Sequence, residues 1–200
     1  MIIGLTGKYC AGKNHVAAYL EKKGLPVLDV DKLGYPVLES EKKNIFAQFG
    51  NDLENADGSL NRRLLAQRTF GKPEKLAALE AIVHPPVNRL IIDWIAEKEK
   101  TGNKACVINA ALLHKSVIFN ELKRIIWVHA PFLTRLFRAY KRDNISFPEI
   151  IRRFNSQKDF NSQYLTASAE IYKVENSGFF NSNKPLKKLE LSVDKCLEGI

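Results

Sequence analysis

Cysteine, methionine and tryptophan are scarce in this 200-residue chain, which holds 3 Cys, 1 Met and 2 Trp. Cys10, Cys106 and Cys196 stand far apart. An odd, unclustered set suits neither a disulfide framework nor a zinc site, so a reducing cytoplasm is the expected compartment. No apolar run approaches the roughly 20 residues that span a bilayer, and no membrane segment is expected. No charged leader precedes the first apolar run, which is too short for a signal peptide. Internal repeats and low-complexity tracts are missing. So are a helix-turn-helix, an RNA-recognition signature and an aromatic–basic ladder, and nucleic acid is not an expected partner. What remains is an ordinary globular composition, 45% hydrophobic and 26% charged, enough for one domain with a small inserted subdomain. The formal charge of +9 and pI near 9.4 suggest an anionic partner without choosing among nucleic acid, acidic lipid and polyphosphate. Arg135, Arg138, Lys141, Arg142, Arg152, Arg153 and Lys158 form one basic cluster. A second, Lys184, Lys187 and Lys188, reads as a solvated helix face.

Apolar runs alternate with helical patterns, the signature of an α/β protein with a parallel sheet. Strands are expected at Ile2–Thr6, Pro26–Val30, Ala105–Asn109, Ile125–His129 and Tyr172–Glu175. Helices are expected at Lys13–Lys23, Pro131–Arg142, Phe147–Gln157 and Pro185–Leu197, the last with Leu186, Leu189, Leu191 and Val193 on its apolar face. Leu33 to Lys104 is too long for a simple crossover and reads as an inserted helical subdomain. It holds Leu60–Phe70, Pro73–Val83 and Val87–Lys100, with His84-Pro85-Pro86 as a rigid break.

The first apolar run leads into Gly7-Lys8-Tyr9-Cys10-Ala11-Gly12-Lys13-Asn14, a G-x-x-x-x-G-K arrangement between a strand and a helix. Such a loop closes backbone amides around phosphate oxygens, with a helix start and a lysine behind them. An ordinary glycine turn accounts for Gly7 and Gly12, but not for Lys13, a cation at a helix start with nothing to offset the dipole. The usual Ser or Thr that holds Mg²⁺ is here Asn14. Cys10 would have a lowered thiol pKa if exposed at that helix start. Asp29 and Asp31 fall at the carboxyl end of the second expected strand, on one side of it by alternation. A carboxylate there can take a proton from an attacking hydroxyl, hold a metal, or cap the helix that follows. Arg138, Lys141 and Arg142 share a helix face that could close over phosphates or simply meet solvent. His84 stands apart from any metal-spaced partner and reads as a packed histidine or a polar contact to substrate.

Taken in order, these segments resemble the dephospho-CoA kinase family over nearly the whole chain. The resemblance runs through Ile3-Gly4-Leu5-Thr6-Gly7 and the loop, Val27-Leu28-Asp29-Val30-Asp31, and Asp57-Gly58-Ser59-Leu60-Asn61-Arg62-Arg63-Leu64-Leu65. It continues through Val83-His84-Pro85, Arg142-Asp143, Gln157 and Glu175-Asn176-Ser177-Gly178. It implies a P-loop NTPase fold of a parallel sheet flanked by helices. The core would be about 1–32, 104–134 and 170–200, the helical substrate region about 33–103 and the lid about 135–169. It also implies transfer of the γ-phosphoryl of ATP to the 3′-hydroxyl of dephospho-CoA with Mg²⁺, the last step of coenzyme A synthesis. By position, Asp31 would be the base. Lys13 and the loop residues Gly7, Cys10, Ala11, Gly12, Asn14 and His15 would hold ATP. Arg142 and Arg138 would stabilise charge, His84 would lie near the acceptor, and Asn176 and Gly178 would border adenine.

The departures from the family pattern lie on the metal side. Lys8 and Cys10 stand where glycines are common, Asn14 and Asn109 replace Ser/Thr and Asp, and Lys115 replaces Glu. Asn14 and Asn109 therefore become neutral-oxygen candidates for Mg²⁺. An active kinase with a modified metal site is the reading favoured by Asp31, Lys13 and Arg142. The alternatives are a non-catalytic nucleotide- or CoA-binding homologue and a kinase for another nucleoside-like acceptor.

Overall fold

The computed structural model describes residues 1–143, 145–157, 160, 164, 167–178 and 183–199, the first three of the last segment by backbone alone. Lys158 and the Lys184 side chain, both named in the basic clusters, lie outside the described residues.

The apolar run after Met1 becomes β1 (Ile2–Gly7), buried along its whole length. A strand with no polar face must be covered on both sides, which is the setting of a parallel sheet between helices. The sheet is five-stranded in the order β2-β3-β1-β4-β5, with β2 (Val27–Asp29), β3 (Cys106–Asn109), β4 (Arg124–His129) and β5 (Glu170–Glu175). Every pairing is parallel, and β1 sits between β3 and β4 with Leu5 in register with Asn109 on one side and Ile126 on the other. Helices α1 (Lys13–Lys22), α6 (Phe132–Arg142), α7 (Phe147–Asn155) and α8 (Asn183–Cys196) accompany the sheet. Ile3, Leu5, Val16, Leu20, Val128 and Val193 form the heart of its core.

The chain divides into two compact units, Met1–Asp29 with Ile95–Ile200, and Val30–Trp94. The second unit contains α2 (Val30–Ser40), α3 (Lys42–Phe49), α4 (Arg62–Thr69) and most of α5 (Pro73–Lys100). Its own core gathers Ile45, Phe49, Leu53, Leu60 and Leu65. Asn61 caps α4 by accepting from the Leu64 amide at 3.0 Å. Beside this core a cavity of about 840 Å³ is lined by Tyr35, Leu38, Arg62, Arg63 and Leu79, with the Arg62 guanidinium 4.6 Å from the Tyr35 ring centre.

Three expectations change. The break at His84-Pro85-Pro86 is not there: α5 runs unbroken through both prolines. Each proline forfeits an amide hydrogen bond and crowds the preceding turn. Val87, Ile91 and Ile95, all buried on one face at helical spacing, give the packing that overrides this local preference. The second strand ends at Asp29, so Asp31 lies in the first turn of α2 and does not share a strand face with Asp29. In α8 the buried face is Leu189, Val193 and Cys196, while Leu191 is 63% exposed.

Candidate active site

The loop between β1 and α1 turns through Cys10, at φ 59°, and Gly12, at φ 97°. The Ala11 amide donates to Lys8 O at 2.9 Å, and the His15 amide to Gly12 O at 3.0 Å opens the helix. Gly12 has two reasons to be glycine: its left-handed backbone, and the Asn176 amide standing where a Cβ would be. At Gly7 a Cβ would come within 2.6 Å of Val128 O.

The carbonyls of this loop face a buried cationic support. Arg135 donates to Tyr9 O at 3.4 Å and to Ala130 O at 3.2 Å. Arg138 donates to Cys10 O at 3.3 Å, Ala11 O at 3.1 Å and Gly178 O at 2.7 Å. The Asn176 amide completes the set, donating to Ala11 O at 2.8 Å. In a trans peptide the N–H points opposite to the C=O before it. Turning the Tyr9 and Ala11 carbonyls onto this support therefore aims the Cys10 and Gly12 amides away from it. Burial pushes both guanidinium pKa values down from their ordinary range, yet arginine stays charged.

The hairpin of α6 and α7 packs on the loop through Cys10, Ala139, Ile150 and Phe154. Tyr9 is its anchor. The Tyr9 amide donates to Gln157 Oε1 at 2.6 Å, its hydroxyl donates to Asp143, and its ring meets Phe154 edge-on at 5.5 Å. Arg142 and Arg153 flank the Tyr9 ring at 5.5 and 5.6 Å. Arg142 Nε also donates to Asp143 Oδ1 at 2.7 Å, which holds the Asp143 carboxyl below its ordinary range. Burial pushes the Cys10 thiol up, the reverse of the shift expected for an exposed thiol at a helix start.

The named residues divide accordingly. Gly7, Cys10, Ala11, Gly12, Lys13, Asn14 and His15 form the turn and first helical residues, with Lys13 opening α1. Asn109 ends β3, 1% exposed, and donates to Asn14 Oδ1 at 3.5 Å. Arg138 and Asn176, expected beside nucleotide, are 8% and 6% exposed and bonded to the protein backbone behind the loop. The Gly178 carbonyl joins them. Arg142 stays at the surface with its side chain 57% exposed. In the other unit, Asp31 is exposed in the first turn of α2, and His84 is half-buried within α5. Lys115 is exposed in a short 3₁₀ turn after β3. Sequence reasoning named Arg135 only as part of the basic cluster and Tyr9 only as a loop position, and gave neither its role behind the loop. Arg135 stands three residues before Arg138 on one helix face, a spacing that could have revealed the pair; Tyr9 carried no signal.

The dephospho-CoA kinase family profile matches residues 1–179. A dephospho-CoA kinase of Fusobacterium nucleatum is 36% identical over 203 aligned residues, covering 100% of this chain and 98% of its own. One of Treponema pallidum is 33% identical, covering 88% of this chain and 87% of its own. Among solved structures, TT1252 from Thermus thermophilus aligns with a TM-score of 0.79 at 31% identity, over 98% of this chain and 96% of that one.

Proposed function

The chain belongs to the dephospho-CoA kinase family, and on that footing we propose that it transfers the γ-phosphoryl group of ATP to the 3′-hydroxyl of dephospho-CoA. Its α/β fold is that of P-loop kinases. The observation that carries the reading is the orientation of the loop: the carbonyls of Tyr9, Cys10 and Ala11 are drawn onto Arg135, Arg138 and Asn176. A loop so held is set for an anion before one arrives, and phosphoryl transfer depends chiefly on positioning and charge.

In this reading the acceptor 3′-oxygen forms the new bond to the γ-phosphorus as the bond to the β–γ bridging oxygen breaks. Asp31 orients the hydroxyl and takes its proton. Lys13, at the start of α1, holds the β- and γ-phosphates together with the loop amides. Arg142 supplies positive charge during transfer, with residues 135–169 serving as the lid. Arg138 is a positioning residue here: its guanidinium acts on phosphate through the loop it holds. Asn176 and Gly178 act through the same support, beside the adenine. His84 and the cavity lined by Tyr35, Arg62 and Arg63 belong to the acceptor side, where the Asp-Gly and His-Pro segments lie.

Mg²⁺ is part of the proposal. Asn109 Oδ1 is buried with no hydrogen-bond partner among the described residues, and an acceptor in that condition suits a hydrated cation. Asn14 and Asn109 offer neutral oxygens, which Mg²⁺ accepts when phosphate provides most of its charge. The ion would neutralise charge on the transferring group. Among the described residues no helix is long and apolar enough to cross a membrane. The three cysteines are free and buried, in keeping with a reducing cytoplasm.

The deciding experiment incubates the protein with ATP, dephospho-CoA and Mg²⁺ and follows coenzyme A by mass spectrometry. Turnover is expected. ATP binding without product would favour the non-catalytic homologue, the reading to which the neutral Asn14–Asn109 pair lends weight.

A further inference from the structure

The carboxyl edge of the sheet brings a third oxygen-bearing residue to the Asn14–Asn109 pair. β2 lies beside β3 in parallel register, with Leu28 opposite Ile108 and Asp29 opposite Asn109. Registered residues on neighbouring parallel strands present their side chains to the same face, so Asp29 and Asn109 share one side of the sheet at its ligand-binding edge. Asn109 in turn reaches Asn14 across the loop, Nδ2 to Oδ1 at 3.5 Å. Asn14 and Asn109 are neutral, and Asp29 is the charged member of this row. Asn109 Oδ1, in a residue only 1% exposed, has no hydrogen-bond partner among the described residues. A buried acceptor left in that state is costly, and it points to a donor brought from outside the protein.

We propose that Asp29 carries the negative charge that draws the nucleotide's divalent cation to the loop, with Asn109 and Asn14 as neutral acceptors for the water that the cation brings. The assignment rests on the kinase reading above. It relocates to β2 a charge that β3 and the loop do not provide in this chain. Among the described residues no group of three or more His, Cys, Asp or Glu could hold a metal ion. A single carboxylate therefore makes a site that needs the phosphates. Without nucleotide, the protein should take up little divalent cation.

The competing role for Asp29 is structural, since it immediately precedes α2 and a carboxylate there can cap the helix. Asparagine caps as well as aspartate but carries no charge, so Asp29→Asn separates the two. The full chain is titrated with a non-hydrolysable ATP analogue, once with Mg²⁺ and once with EDTA, and the ratio of the two affinities is the gain due to the cation. Asp29→Asn is expected to cut that gain about tenfold while the affinity in EDTA and the melting temperature hold. Adding Asn109→Asp to Asp29→Asn is expected to restore the gain. Asp29→Ser, which also keeps a capping oxygen, is the second variant should the first fail to fold. An unchanged gain in these variants, with binding intact, overturns the assignment alone. A parallel loss of affinity in both buffers shows a structural role and overturns it as well. Absence of binding by the unaltered protein in either buffer would defeat the kinase reading and this assignment together.

Discussion

Arg138 and Asn176 grip one another behind the loop. The guanidinium donates to both Asn176 O and Asn176 Oδ1 at 3.0 Å, and the Asn176 amide passes the contact on to Ala11 O at 2.8 Å. Two residues from distant parts of the chain thus fix one peptide of the turn. A planar guanidinium with several donors can serve Cys10, Ala11, Asn176 and Gly178 at once, which a lysine ammonium on a flexible stem does not reproduce. Arg138→Met is expected to cost about 3 kcal/mol, because several buried carbonyls lose their donor. Arg138→Lys should recover only part of that. Denaturant midpoints give the stability, and titration with ATP gives the accompanying loss of affinity.

Gly12 should tolerate no side chain. Its φ of 97° and the Asn176 amide in the place of a Cβ both oppose alanine. Gly12→Ala is expected to reduce ATP affinity at least tenfold, read by calorimetry, with a smaller effect on the melting temperature.

Asp31→Asn tests the base. Coenzyme A formation should fall by orders of magnitude while ATP affinity changes little, since the proposed role is toward the acceptor hydroxyl. A fully active variant would remove Asp31 from that role.

Tyr9 ties the loop to the hairpin of α6 and α7. Tyr9→Phe keeps the ring against Phe154 and loses the hydrogen bond to Asp143. The expected cost is about 1 kcal/mol of local stability, seen as faster hydrogen exchange over residues 145–155 with little change elsewhere.

Acid should loosen the same contact. The Arg142 hydrogen bond holds the Asp143 carboxyl below its ordinary 3.8, with Tyr9 adding to the effect and burial opposing it. A depressed carboxyl stabilises the folded state above its unfolded value and ceases to do so as pH falls through its folded value. Hydrogen exchange over the hairpin is therefore expected to be flat from neutral pH to about 4 and to quicken below it, after correction for intrinsic exchange. In Asp143→Asn this component of the acid response should vanish.

The sheet and the loop were legible because they rest on local patterns. Ile2–Gly7 is a continuous apolar run, and a glycine-rich turn into an amphipathic helix has few other uses. The helical region was harder. Pro85 and Pro86 read as a break because proline preference is local, whereas the burial of Val87, Ile91 and Ile95 along one helix face is a property of the folded chain. Leu191 looked like core for a similar reason: hydrophobicity marks a residue, but only neighbouring elements decide which face of α8 is covered. At the site, residue type pointed to the cations without distinguishing their duties. Arg138 and Arg142 lie one helical turn apart, yet one is 8% exposed beneath the loop and the other remains at the surface. The register of Asp29 with Asn109 depends on strand order, which no single segment encodes.

The bond from Asn176 to Ala11 joins residues 165 positions apart, and this has a bearing on biosynthesis. The turn is completed by a residue translated 165 positions later. Its strand, β1, likewise waits for β3 and β4 to emerge on either side. A polypeptide terminated before Asn176 would carry the glycine-lysine signature without the Asn176 brace. Translation thereby completes the support of the turn only once Asn176 has been made.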